Sequence, residues 1–173
     1  MADHACQSLD HGHRRLPTAP KWLDVALNSP LCCSVVYLDP SGENVFRLLE
    51  RGIEGPVTML NLLRFREVAD YSASPALAPP EPISGSAAYD RYVRHTIPFL
   101  TASGGSVVFF GTGGHNFVGP VSERWDLVML INQSSISDFF AFASNEEYLA
   151  GVGHRTAALE DSRLLPLVAR PLP

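Results

Sequence analysis

An α+β domain built on a strand–helix–strand–strand–helix–strand order is the fold class this sequence predicts. Three observations predict it: short apolar runs bounded by glycine and proline, two stretches with helical spacing between them, and strands that are apolar on both faces. At 173 residues, the chain is long enough for one such domain with an additional arm.

The order is read from Pro56 onward. Pro56–Phe65 (PVTMLNLLRF) is β-branched and apolar and reads as a strand. Residues 67–83 hold several prolines and little periodicity, so they form a long loop, a candidate lid or arm. Ser84 opens a helix running to about Ser103, with Ala88, Tyr89, Tyr92, Val93, Thr96, Ile97 and Leu100 on one face. Pro98 should kink it, and Gly104-Gly105 ends it. Ser106–Val118 is a second strand region whose glycines (Gly111, Gly113, Gly114) suggest a bulge or bend. Glu123–Asn132 is a third strand. Ser135 with Asp138 resembles a capping box, and Ser144 with Glu147 repeats it for a further helix. Ser162–Ala169 closes the order as a fourth strand. This is the split βαβ, ferredoxin-like arrangement, with both helices on one face of an antiparallel sheet.

Ahead of it, residues 1–20 read as a mobile polar leader. Its His4, Cys6, His11 and His13 could chelate a soft metal only if a rigid frame held them. Residues 21–54 form an arm: Lys21–Asn28 as one or two helical turns, Leu31–Leu38 as a short strand, then a helix. Asp39 is placed as that helix's N-cap and Pro40 at its first position; Val45, Leu48 and Leu49 supply the stripe, and Gly52 stops it. Residues 55–173 are the main domain.

Composition narrows the function classes. The chain is 46% hydrophobic and 18% charged, with net charge −5 and no basic run. Nucleic-acid binding needs a basic footprint, and an anionic membrane surface needs the same. No apolar stretch nears bilayer length, the first residues lack a signal-peptide core, and Cys6, Cys32 and Cys33 do not form a secreted disulfide framework, so a cytoplasmic location is expected.

A sheet with one face in water alternates apolar and polar residues, whereas SVVFF at 106–110 and LVMLI at 127–131 do not. In the first strand Leu60 and Leu62 point one way, and Met59 and Leu63 the other. Helices cover one face only. The second face is therefore expected to meet the same face of another copy in a homodimer, with the N-terminal arm as the alternative cover.

GPVTMLNLLRF, AYDRY at 88–92, Gly104-Gly105, ERWD at 123–126, NEEYL at 145–149 and GHRTAALEDSRLLP at 153–166 form an ordered set. It resembles the family catalogued as domain of unknown function thirteen-thirty, in the dimeric α+β barrel superfamily, over about Gly55 to Pro171. The resemblance implies a ferredoxin-like subunit whose sheet pairs with a partner's. The wider superfamily includes cofactor-free monooxygenases of aromatic polyketides, haem-degrading enzymes, muconolactone-isomerase-like proteins and stress-response proteins, so it constrains fold more than function.

Several residues could carry chemistry. Asn61 lies in an apolar strand and either faces a pocket, holding a ligand carbonyl or oxyanion, or pairs with loop backbone. His154 could move a proton near neutral pH, or could be a half-buried structural ring. Arg155 could fix a carboxylate or phenolate, or could pair with Glu160 or Asp161. Gly151 and Gly153 around them suggest a bend or a close approach. Trp125 and Tyr148 are core or pocket-wall aromatics, His115 sits in a glycine-rich bend that presents it to solvent or to a pocket mouth, and Arg64 is an ion-pair former or ligand contact. His95 is placed on the solvated side of its helix. No cofactor motif, nucleophile elbow or metal-ligand spacing joins these residues in the domain. The functions left open are a cofactor-independent oxygenase or isomerase of a small carbonyl or phenolic compound, a non-catalytic binder of such a molecule, and a structural homodimer.

Overall fold

The computed structural model describes residues 36–173. The readings for the leader, for Lys21–Asn28 and for residues 31–35 of the first expected strand lie outside the described residues. Val36–Leu38, which the sequence assigns to that strand, are not in one.

The elements are α1 (Gly42–Glu50), β1 (Val57–Phe65), α2 (Gly85–Ala102), β2 (Ser106–His115), β3 (Arg124–Gln133), α3 (Ile136–Ala143), α4 (Glu146–Leu149), α5 (Val152–Ala158) and β4 (Leu159–Leu167). A single 3-10 turn, Pro75–Leu77, interrupts the loop between β1 and α2. The strands form one antiparallel sheet in the order β2-β3-β1-β4. With one helical stretch after β1 and another after β3, this is the ferredoxin-like topology that the sequence predicts.

Capping chemistry sets most boundaries. Ser84 accepts from the Ala87 N–H and starts α2; Ser135 accepts from the Asp138 N–H and starts α3. Two expected caps are corrected. The cap of α1 is Ser41, not Asp39, because the Ser41 hydroxyl reaches the Asn44 N–H. The cap of α4 is Asn145, whose side chain accepts from the Tyr148 N–H, while Ser144 ends α3 by donating its hydroxyl back to the Phe140 carbonyl. The irregularity in β2 falls between Val107 and Phe109, ahead of the glycines expected to cause it. Strand β4 starts at Leu159, three residues before the expected Ser162, directly from the end of α5.

The helix face of the sheet carries Val57, Met59 and Leu63 of β1, each 1% exposed, and Leu127 and Met129 of β3. Two packed regions form on it. One joins Leu63, Leu127 and Met129 to Tyr89 and Tyr92 of α2 and Ala157 and Ala158 of α5. The other joins Val57 and Met59 to Ile136, with Leu48 of α1 and Phe139 of α3 packed against it. The described part of the N-terminal arm therefore lies on the helix side, where Arg51 also donates to the Pro166 carbonyl at 2.9 Å.

The opposite face keeps its apolar residues in the open. The registers align Phe109, Leu130, Leu60 and Leu165 in one row across all four strands. At the row's two ends Phe109 is 49% and Leu165 51% exposed.

Candidate functional site

Between the sheet's helix face and α2 lies a cavity of about 950 Å³. Its floor is Met59, Asn61, Met129 and Ile131; its roof includes Tyr92, Val93 and Thr96 of α2 and Tyr148 of α4. The described arm, from Tyr37 through Arg51, closes one side. Its walls are predominantly apolar with a few convergent polar groups, the pattern of small-molecule sites.

Asn61 sits on this floor. Its Nδ2 donates to the Met59 carbonyl two residues back, at 3.1 Å, and its Oδ1 takes no hydrogen bond among the described residues. Arg155 also reaches the wall. The expected ion pair to Glu160 or Asp161 is not formed. Instead Nη1 donates to the Leu38 carbonyl at 2.8 Å and Nη2 to Ser162 Oγ at 3.3 Å, with the Asp39 carboxylate 4.0 Å away. The Ser162 hydroxyl in turn donates to the Tyr37 carbonyl at 2.5 Å. These bonds tie the arm to the start of β4.

Tyr148 faces the cavity too, its hydroxyl 2.8 Å from that of Tyr92. Burial raises the phenol of Tyr148 well above its ordinary value, with the neighbouring Tyr92 adding to the effect; burial does the same for Tyr89. The phenols of Tyr148 and Tyr89 stay neutral in any ordinary buffer. Two further wall residues carry unpartnered polar atoms: Gln133, 2% exposed, at Oε1, and Thr96 at Oγ1. A buried polar atom left without a partner costs about 1–3 kcal/mol. Neither was singled out as a site residue in the sequence. Gln133 falls at the end of an apolar strand, where only the fold shows that it points inward.

His154 is not on this wall. Its Nδ1 is 2.8 Å from the Tyr71 hydroxyl, edge-on to that ring, so it fastens α5 to the 67–83 loop. The combination of Asn61, His154 and Arg155 expected from the sequence is thus split, with two members in the cavity and the third behind it. One helical residue separates the side-chain directions of His154 and Arg155, about 100° apart, and sequence spacing alone does not say which faces inward. Burial lowers the His154 pKa below its ordinary value, and the charges of Arg91 and His95 lower it further. The neutral ring shares a hydrogen bond with the Tyr71 hydroxyl. Stability is accordingly expected to be complete above pH ~6.5 and to decline as pH falls below it, because the unfolded chain takes up the proton first. Urea midpoints across this range should show a shallower decline in His154→Gln; an unchanged slope would remove His154 as the cause.

The other candidates scatter. Trp125 (6% exposed) lies with His115, Glu123 and Leu62 around a second hollow of about 460 Å³, near the β2–β3 connection. The Arg163 guanidinium lies 5.2 Å from the Trp125 ring and 4.6 Å from that of Tyr37. Arg64 pairs with Glu160 at 3.2 Å and lies outside the cavity. His95 is not simply solvated: its Nε2 is 3.0 Å from the carbonyls of both Glu147 and Tyr148, and its ring occupies the space a side chain at Gly151 would need. Gly153 similarly admits Ser74 and Leu77 of the loop. Among the described residues no group of three or more His, Cys, Asp or Glu could hold a metal, and no helix is long and apolar enough to cross a membrane.

Fold and site together define a ferredoxin-like α+β protein with a largely apolar cavity between sheet and helices. The chain is similar to RPA0582, a protein of unknown function from Rhodopseudomonas palustris, at 35% identity over 79% of this chain and 100% of that one, with a TM-score of 0.66. The crystal structure of methylated RPA0582 matches at 35% identity over 81% and 98%, TM-score 0.68. The chain belongs to the RPA0582 family. A dimeric ferredoxin-like protein of unknown function from Bacteroides fragilis NCTC 9343 aligns at 12% identity over 65% of this chain and 94% of that one, TM-score 0.40. No protein-family model and no curated protein matches the chain.

Proposed function

We propose that this protein is a homodimeric small-molecule binder whose cavity holds a largely apolar compound by a polar or anionic end. The observation that carries this reading is a pair of polar side chains on an apolar wall: Asn61, whose Oδ1 takes part in no hydrogen bond among the described residues, and Arg155, which has N–H groups beyond the two it uses. A ligand that satisfies them gains both the hydrogen bonds and the burial of its apolar body.

Binding is favoured over turnover by where the titrating groups lie. His154, the side chain expected to move protons, is engaged with Tyr71 behind the wall, and burial keeps the Tyr89 and Tyr148 phenols protonated. A cofactor-independent oxygenase or isomerase is the catalytic form of the same reading, with Asn61 and Arg155 holding a carbonyl or phenolate. The resemblance to the family of unknown function thirteen-thirty belongs with it.

The homodimer rests on the open sheet face. The described arm lies on the helix side and leaves the row from Phe109 to Leu165 uncovered, and a self-complementary sheet is the simplest cover. Phe117, Val118 and Val121, at 88% exposure or more, add apolar surface at the β2–β3 connection.

The test is a thermal-shift panel of aromatic and aliphatic acids, phenols and neutral analogues on the full chain, followed by mass analysis of each stabilising compound. Stabilisation with the compound recovered unchanged is the expected result. Conversion to a product would replace binder with enzyme. No stabilisation by any member would overturn the cavity reading.

A further inference from the structure

We infer that the arm from Tyr37 to Arg51 is a hinged lid that opens to pass ligand to the cavity, a statement about access that rests on the binding reading above. Val45 and Leu48 of α1, with Tyr37 and Leu38 ahead of it, line one side of the cavity. The arm is held there lightly. Among the described residues no backbone–backbone hydrogen bond joins residues 36–52 to the rest of the chain; those present are internal, such as Val45 to Ser41 and Gly52 to Leu49. No residue of α1 is buried, and Phe46 (61%) and Leu49 (45%) are turned to solvent. An element with so few buried contacts opens locally at a fraction of the global cost. The 67–83 loop, which the sequence marks as a candidate lid, is the opposite case. None of its residues lines the cavity, and its Asp70 N–H is bonded to the Ala157 carbonyl at 2.9 Å.

The two ends of the arm are built differently. At Tyr37 and Leu38 there is a latch: the Tyr37 N–H donates to Asp161 Oδ1 at 3.0 Å, the Ser162 hydroxyl donates to the Tyr37 carbonyl, and Arg155 Nη1 donates to the Leu38 carbonyl at 2.8 Å. Every partner on the domain is a side chain, so the latch releases without unpairing a strand. Helix α1, nine residues and about 14 Å long, separates it from the return to β1. There Gly52 (φ 54°) and Gly55 (φ 76°) are in the left-handed region, with nothing within 4 Å of where a Cβ would stand. Glycine moves between left- and right-handed backbone without a Cβ penalty, and the open space leaves this turn free to rotate. It is the hinge. Arg155 belongs to latch and site together: Nη1 holds Leu38, Nη2 meets Ser162, and its other N–H groups remain for a ligand.

Stopped-flow mixing of the full chain with a neutral fluorescent probe, N-phenyl-1-naphthylamine, tests this together with hydrogen exchange. The wild-type association rate should level off with rising probe concentration, at the rate of lid opening. Ser162→Ala removes the hydroxyl that holds Tyr37. It should raise both that plateau and the dissociation rate by about fivefold or more, with circular dichroism unchanged. If that variant does not fold, exchange in the wild-type chain decides alone. The amides of α1 should exchange about a hundredfold or more faster than those of β1. Saturating probe should slow them, because Val45 and Leu48 lose their contact with it on opening. Unchanged rates in a folded Ser162→Ala, or α1 exchanging in step with β1, would overturn the lid and leave the cavity reading standing. A probe that does not bind the wild-type chain at all would take the binding reading down, and the lid with it.

Discussion

A Leu60→Asp variant is expected to sediment as a folded monomer under conditions in which the wild-type chain is a dimer. Leu60 stands between Leu130 and Leu165 in the row that crosses the open sheet face. In an isolated subunit the position is only half-buried, so a carboxylate there keeps much of its water and the fold survives. Pressed against a second sheet, the same carboxylate would be buried without a partner, at about 3–5 kcal/mol in each subunit. That weakens association by orders of magnitude. Sedimentation velocity reads the mass and circular dichroism the fold, with Leu60→Met as the control that keeps the dimer. A Leu60→Asp dimer as tight as the wild type would show that this face is not the interface.

Gly85→Ala should destabilise the chain by about 3 kcal/mol, the upper range for overpacking. The direction is opposite to helix propensity, which favours alanine over glycine by about 1 kcal/mol within a helix. Gly85 is the first residue of α2, at a point where three backbone segments meet. Its N–H donates to the Arg66 carbonyl at 3.1 Å, and the Arg66 N–H donates to the Ala158 carbonyl at 2.9 Å. A Cβ at Gly85 would strike both carbonyl oxygens and approach the Arg66 nitrogen to 2.9 Å. None of these is the flexible end of a side chain, so the end of β1, the start of α2 and the end of α5 would have to move apart. Urea denaturation of the variant measures the loss. A neutral or stabilising result would mean that this junction yields easily.

How much of this was legible beforehand depended on how local the cause was. Ser84 and Ser135 start helices because a hydroxyl reaches an N–H within the next turn, and the sequence shows both partners. Asp39 and Ser144 look equally able to cap, but Ser41 and Asn145 hold those places. A shift of one or two residues among adjacent polar side chains is decided by how the preceding chain is held. Asn61 stood out as an amide within apolar residues, and it is on the cavity floor. Gln133 gave no such signal, because a polar residue at a strand end is ordinarily solvated.

The sequence by itself determined the order of elements and, through strands apolar on both parities, a sheet with no face suited to water. It also marked Gly151 and Gly153, whose missing side chains leave room for His95 and for the loop residues Ser74 and Leu77. Which polar groups share a site was decided only by the tertiary structure. Asn61 and Arg155 are 94 residues apart in the chain, yet antiparallel pairing of β1 with β4 sets Asn61 diagonally across from Ser162, to which Arg155 is bonded. His154, adjacent to Arg155 in sequence, is turned away by the helical rotation between successive residues and held there by Tyr71. Apolar periodicity reports which side of an element is buried; the direction of a single polar side chain depends on partners contributed by distant segments.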